Sequence, residues 1–427
     1  MSRVPLSAPT CELLRQVRVL DPVSQTDAIA DVLLVEGSVV AIAPQLADIP
    51  AATKITAAAG QILAPGLVDL YAHSGEPGHE ERETLASLSA AAAAGGFTRL
   101  TVLPNTQPPL DSPAAIAQMH RDWPPGARLQ LWAALTRGLA GEQMTELGEL
   151  AATDCVGFSD GQPLTDLNLV RRLLEYAQPL GKPLAFVASD RHLHNHGVAR
   201  EGPQAIQAGL PASPASTETA ALAALLELVA EVDTPVHFMR LSTARSVELV
   251  AAAKARGLPV TASTTWLHLL RDTTALTDYD PQLRLEPPLG NPRDRAALAA
   301  AVQQGVIEAI ATDHTPYTYE ETTVAFADAP PGALGLELAL PLLWQEFVAS
   351  GQWSALELWR SLSSAPARCL GTPPPRCAVG EAAELILFDP QPEWVVDAAN
   401  LRSLSGNTAW RGATLRGRVQ RLWLLSS

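Results

Sequence analysis

Between residues 63 and 370 short apolar runs alternate with longer stretches of helical periodicity. The runs fall at 66–70, 99–103, 129–134, 155–158, 184–187, 236–241, 260–265 and 307–311, and each ends on polar residues. Helical patterns lie between them at 83–94, 217–232, 244–255 and 292–302. Gly95-Gly96 and Gly257 fall just after helices, where a left-handed residue ends the last turn. Eight strands alternating with helices predict a closed parallel (β/α)8 barrel. The two ends of the chain read differently. Runs at 13–20, 31–36, 39–42, 383–388 and 416–425 are short and bounded by Pro, Asp and Gly, so both termini together predict one small β domain. The expected boundaries are 1–62 and 371–427 for that domain and 63–370 for the barrel.

The 427 residues, 47% of them apolar, suffice for such a barrel plus a smaller module. Net charge is -15, spread along the chain, which argues against a nucleic-acid partner. Four cysteines (Cys11, Cys155, Cys369, Cys377) fit neither a disulfide framework nor a C-x-x-C metal motif. Residues 1–10 contain no apolar targeting segment, and no run of ~20 apolar residues occurs anywhere. The expectation is a soluble cytoplasmic protein with no membrane contact.

Barrels of this type carry their chemistry at the C-terminal ends of the strands. That rule selects Tyr71-Ala72-His73, Pro104-Asn105-Thr106, Asp160, Val187 to Asp190, Arg240, Thr265 and Asp313-His314.

The same positions carry a family resemblance. The run from Pro65 to Gly78 resembles the dihydroorotase signature P-G-L-x-D-x-H-x-H-x-R-E-P-G. Leu103-Pro104-Asn105-Thr106, Phe158-Ser159-Asp160-Gly161, Leu241-Ser242-Thr243, Glu286-Pro287-Pro288-Leu289 and Ala311 to Tyr317 resemble the later blocks, in order and at family spacing. The chain therefore resembles a class I dihydroorotase of the amidohydrolase superfamily, and among these its degenerate, dihydroorotase-like members. Hydantoinase and allantoinase relatives bridge their metals with a carboxylated lysine after strand 4; Asp160 at that place favours the dihydroorotase lineage.

The resemblance implies two zinc ions that activate a hydroxide and polarise the ring amide of dihydroorotate. Carried over slot by slot, His73, Asp160 and Asp313 keep metal-ligand positions, Asp313 also being the family's proton relay. Tyr71, Val187 and Arg240 replace the other three ligands, all histidines in the family. Valine has no donor atom, whereas zinc takes N, O or S ligands at ~2.0–2.3 Å. Arginine stays protonated and offers no lone pair. The expectation is that Arg240 stands in for the metal charge, bridging Asp313 and Asp160. The cofactor expectation is no metal or one weakly bound zinc, against two zinc ions if the chain works as its family does.

The substrate slots are altered as well. Of the set that grips the substrate carboxylate only Asn105 is kept, and Gly75, Tyr317 and Glu286 occupy the places of an arginine, a histidine and an asparagine. Plainer readings stand beside these. Asp313 and His314 read as a barrel-mouth ion pair or hydrogen-bonded remnant, Asn105 as a local turn cap, and Trp266, Tyr71 and Tyr317 as side chains filling the mouth. His192, His194 and His196 read as a solvated loop, with a shifted ligand as the alternative. His237 and His268 read as locally bonded.

Two functions follow. Degenerate dihydroorotase-like chains pair with aspartate carbamoyltransferase, so the resemblance implies a non-catalytic structural or regulatory partner of that enzyme in pyrimidine biosynthesis, itself a homo-oligomer. The alternative is a working dihydroorotase or other cyclic amidohydrolase with a reduced metal site, motivated by His73, Asp160 and Asp313.

Overall fold

The structure, a computed structural model, describes residues 11–424. Residues 1–10 and Leu425, on which two of the sequence expectations fall, lie outside the described residues. Strands β1 (Cys11–Asp21), β2 (Thr26–Val35), β3 (Ser38–Ala43), β4 (Lys54–Ala57) and β5 (Ile62–Pro65) come first. Then follow β6 (Leu67–Ala72), β7 (Phe97–Val102), β8 (Arg128–Ala133), β9 (Gly157–Phe158) and β10 (Leu184–Val187). A two-stranded ribbon, β11 (Ala199–Arg200) and β12 (Ala212–Ser213), precedes β13 (Val236–Met239), β14 (Val260–Thr265) and β15 (Ala309–Ala311). The chain ends with β16 (Glu384–Val395) and β17 (Thr414–Leu424).

Strands β6 to β10 and β13 to β15 form one parallel sheet in that order. It closes where β15 returns to β6. Ala72 bridges His314, the His73 N–H donates to the His314 carbonyl at 2.8 Å, and Asp69 accepts from Thr312 N at 2.8 Å and Thr312 Oγ1 at 2.7 Å. This is the expected (β/α)8 barrel. Both faces of its strands are covered, so even the polar Thr261, Ser263, Thr264 and Thr265 of β14 are shielded from water to a large extent. Inside, Val68, Leu70, Tyr71, Leu103, Trp132, Val187 and Met239 pack into one apolar cluster, with Ala367, Cys369 and Leu370 joining it. Outside, Phe97, Leu100, Phe158, Leu184 and Phe238 meet helical residues such as Leu88, Leu173, Leu226, Val250 and Leu298. Each such side chain contributes roughly 1.5–3 kcal/mol by leaving water.

The helix read from residue 83 starts later, as Leu85–Gly95 with Thr84 as N-cap. The reason is that the Glu83 carboxylate accepts from Leu404 N at 3.1 Å and from Ser403 Oγ, and meets His314 Nε2 at 3.4 Å. The short β9 starts at Gly157 because only Gly157 and Phe158 pair with β8.

The second sheet runs β17-β16-β5-β1-β2-β3, with β4 on β1, and so joins both chain ends. Leu14, Val17, Val19, Val32, Leu34, Leu63, Leu385 and Leu387 form its core. At its junction with the barrel, Glu384 accepts from Arg99 Nε at 2.7 Å, Arg99 Nη2 at 2.8 Å and Thr98 Oγ1 at 2.9 Å. No helix among the described residues is long and apolar enough to cross a membrane.

Candidate functional site at the barrel mouth

The polar residues that follow the strands converge on one guanidinium. Arg240 and Asp313 come directly after β13 and β15, and both have left-handed backbone, with φ of 58° and 47°. Such backbone in non-glycine residues is strained and persists where its surroundings hold it. The holding contact is a two-pronged ion pair. Arg240 Nε donates to Asp313 Oδ2 at 2.8 Å and Nη2 to Asp313 Oδ1 at 2.7 Å. Nη1 donates to the Gly161 carbonyl at 2.8 Å and Nη2 also faces His73 Nε2 at 3.2 Å. Little of the fork remains free, since a guanidinium has five N–H groups. Burial alone would raise the Asp313 carboxyl, but Arg240 and His73 overcome it and hold the group well below the usual carboxylate range. The Arg240 guanidinium moves the other way, because Asp313 outweighs the effect of burial.

Beneath the pair sits Tyr71. The pairing of β6 with β7 shifts between Asp69 and Ala72, and Tyr71 packs with the barrel interior. Its ring lies 5.2 Å from the Arg240 guanidinium carbon, and its hydroxyl accepts from Arg240 N at 3.1 Å. That hydroxyl lies 3.0 Å from Ser263 Oγ, which in turn lies 2.8 Å from His237 Nε2. Burial pushes the His237 imidazole down to about 3, so it is neutral and serves as a packed polar link. Burial likewise brings His268 down to about 4; it bonds locally to Thr265 Oγ1 at 2.8 Å and the Pro287 carbonyl at 3.1 Å.

His73 is held at both ring nitrogens, by Arg240 and by the Asn105 carboxamide, 2.7 Å from Nδ1. Asn105 is therefore tied to the site rather than to its own turn. Asp160 does not join. Its Oδ1 accepts from Leu135 N at 2.8 Å and Thr136 N at 3.0 Å, and Oδ2 from Thr136 Oγ1 at 2.5 Å. Burial pushes this carboxyl above its ordinary value, with the Thr136 and Leu135 bonds opposing. The expected bridge from Arg240 thus reaches Asp313 and not Asp160. Val187 lines the mouth without a donor atom.

These residues do not fit the zinc centre that the family resemblance implies. Both Asp313 oxygens and His73 Nε2 face the guanidinium, Tyr71 is committed to Ser263 and Arg240, and Asp160 is committed to Thr136. Among the described residues no three His, Cys, Asp or Glu side chains converge so as to hold a metal ion. A divalent cation here would have to displace a guanidinium already paired with the carboxylate it needs.

The substrate slot at Gly75 has no room for a side chain. A Cβ at position 75 would lie 2.4 Å from the Glu83 carbonyl oxygen and 2.5 Å from that of His79. Tyr317 lines the mouth, and its hydroxyl donates to the Pro331 carbonyl at 3.1 Å. Burial is the main reason its phenol is pushed up to about 12. Glu286 is exposed on the rim. His194 and His196 line the cavity wall, and His194 Nδ1 lies 3.1 Å from Ser213 Oγ. Trp266 does not fill the mouth. It is buried in the outer apolar cluster, its ring centroid 5.2 Å from that of Trp410, at the start of the helix Trp266–Leu270. Sequence reasoning missed Arg200 and Arg284, which also line the cavity, because neither follows a barrel strand.

The sequence profile of the amidohydrolase family matches residues 62–424. A probable dihydroorotase-like protein of Synechocystis is 43% identical, over 95% of this chain and 97% of its own. A dihydroorotase-like protein of Pseudomonas aeruginosa is 39% identical, over 95% and 96%. A dihydroorotase of Pelotomaculum thermopropionicum is 37% identical, over 95% of each chain. Among solved structures, an L-hydantoinase from Arthrobacter aurescens superposes with a TM-score of 0.81 at 22% identity, covering 96% of this chain and 93% of the other, which is a likeness of fold.

Proposed function

From the premise that this chain belongs to the amidohydrolase family, among its dihydroorotases and dihydroorotase-like proteins, we propose that it does not hydrolyse dihydroorotate and serves as a structural or regulatory partner of aspartate carbamoyltransferase. The observation that carries this reading is the two-pronged Arg240–Asp313 pair. Family chemistry requires an activated water and a base to take its proton. A useful base has a pKa near the working pH. Asp313 is held well below the carboxylate range with both oxygens bonded, so it is a poor proton acceptor. His73 is engaged at both ring nitrogens, by Arg240 and Asp313 at Nε2 and by Asn105 at Nδ1, so neither faces a substrate or a water freely. Nothing that remains here polarises a ring amide as a metal ion would.

The reading is tested by zinc analysis of the purified protein alongside a dihydroorotate hydrolysis assay. The expected result is substoichiometric zinc and no turnover. Two zinc ions per chain with turnover would restore the alternative, a working cyclic amidohydrolase. The partnership is tested by size exclusion of the two proteins mixed at micromolar concentration. Co-elution in a larger species is expected, and separate elution would end that part of the proposal.

A further inference from the structure

The barrel mouth opens into a cavity of about 690 Å³, within the range of small-molecule sites. Its charge is unusual for this chain. The protein carries a net charge of -15, yet five arginines line the cavity (82, 191, 200, 240 and 284) against three carboxylates (Glu218, Glu286 and Asp313). A cleft of one sign with low-dielectric walls concentrates ions of the opposite sign.

Arg240 is matched by Asp313, and Arg82 by Glu321. Two others are buried without a direct ion pair. Arg200, at the end of β11, is 2% exposed, and Arg284, in the loop before Glu286, is 8% exposed. Arg200 donates only to neutral acceptors: Ser242 Oγ at 2.7 Å and the carbonyls of Pro214 and Pro288 at 3.3 Å. Arg284 Nη1 donates to the Leu285 carbonyl at 2.7 Å. Among the described residues neither forms an ion pair, and the buried Nε of each has no acceptor. Glu218, whose charge acts on Arg200, is taken up by Ser242 N at 3.0 Å and Thr243 Oγ1 at 3.2 Å, and by the Ser242 hydroxyl. Burial pushes both guanidiniums below their ordinary range, and the charges of Glu218 and Asp294 near Arg200 and of Glu286 near Arg284 do not offset it. Buried charges are normally paired.

We propose that this cavity binds a small organic anion bearing a carboxylate or phosphate group, received by Arg200 and Arg284. These arginines lie outside the slots through which the family resemblance places substrate, so the site does not depend on retained hydrolysis. It also stands whether or not the chain has a protein partner.

The test is a thermal melt and calorimetric titration of the full chain with succinate and with inorganic phosphate, at constant ionic strength set with chloride. Saturable stabilisation by one or both is expected, and which of them acts assigns the carboxylate or the phosphate class. Arg200→Met and Arg284→Met should each weaken binding about tenfold or more. Each should also melt no lower than the wild type without anion, because an uncompensated buried charge has been removed. A merely structural arginine would behave oppositely, with a lowered melt and an unchanged anion response. If a methionine variant fails to fold, Arg284→Lys keeps the charge and loses the fork, and weaker anion binding is expected. No response of the wild type to 10 mM of either anion, or a response that survives in both variants, would overturn the proposal. Such a failure leaves the zinc and co-elution results untouched.

Discussion

At the scale of single residues the site is decided by Arg240. It places a permanent charge between Asp313 and His73, and the geometry is that of a strong charge-assisted pair. With only 7% of the arginine side chain and 19% of the aspartate exposed, removal of one partner strands the other. Arg240→Met is expected to cost about 3–5 kcal/mol in urea unfolding, and adding Asp313→Asn should recover most of it. If the double variant is as unstable as the single one, Arg240 does not act through Asp313. The pH dependence follows with a definite sign. The folded Asp313 lies below its unfolded value of about 3.9, so its stabilisation is present above that pH and is lost as pH falls further. The wild type should therefore lose stability below pH 4 more steeply than the double variant. Position 75 illustrates the reverse problem. Gly75→Arg should not rebuild a carboxylate grip, because its Cβ meets the Glu83 and His79 carbonyls. It is expected to lower stability by roughly 1–3 kcal/mol, read from the same unfolding curves.

At the scale of elements the important seam joins β6 and β15. Both strands are short, and the closure relies on Asp69 holding Thr312 by backbone and hydroxyl. Burial pushes the Asp69 carboxyl up to about 7, against the Thr312 bonds and with help from Asp313. A raised folded pKa contributes stability that is fully present below the unfolded value and is lost as pH rises through about 7. Thermal stability should thus decline between about pH 4 and pH 7 and level off above it. Asp69→Asn, neutral and of the same shape, should flatten that decline. A remaining slope is expected from Glu337, which burial also raises to about 7. An unchanged slope in the variant would remove Asp69 from the account.

At the scale of the whole molecule one carboxylate locks the two sheets together. Glu384 lies on β16 of the small sheet, and Arg99 and Thr98 belong to β7 of the barrel. The pair is largely buried, with side-chain exposures of 12% and 9% for Arg99 and Glu384. Glu384→Gln keeps the size but leaves Arg99 unmatched, and a loss of about 3 kcal/mol is expected. If the lock sits at the domain junction as described, hydrogen exchange should rise first along β16 and β5, which pair at Leu385 to Phe388. Uniform exchange across the barrel would contradict that.

The chain's hydrophobic rhythm by itself determined the architecture. β10 and β14 and the helix Ala244–Ala255 fall where the pattern puts them, because short apolar or β-branched runs alternating with helical periodicity suit only strands covered by helices. The residue types at the strand ends also determined what the mouth lacks, since valine and arginine cannot become metal donors in any fold. Tertiary structure alone decided where the surviving groups point. His73, Asp160 and Asp313 are separated by more than 80 residues in each step along the chain. Whether their side chains meet depends on competing local donors, and Thr136 with Leu135 N draws Asp160 away while Arg240 draws Asp313 and His73 in. The buried Arg200 and Arg284 were equally hidden, because a charged residue in a loop reads as solvated until packing removes its water. Desolvation is a property of the assembled neighbourhood, so it is set by the folded molecule and not by the order of residues.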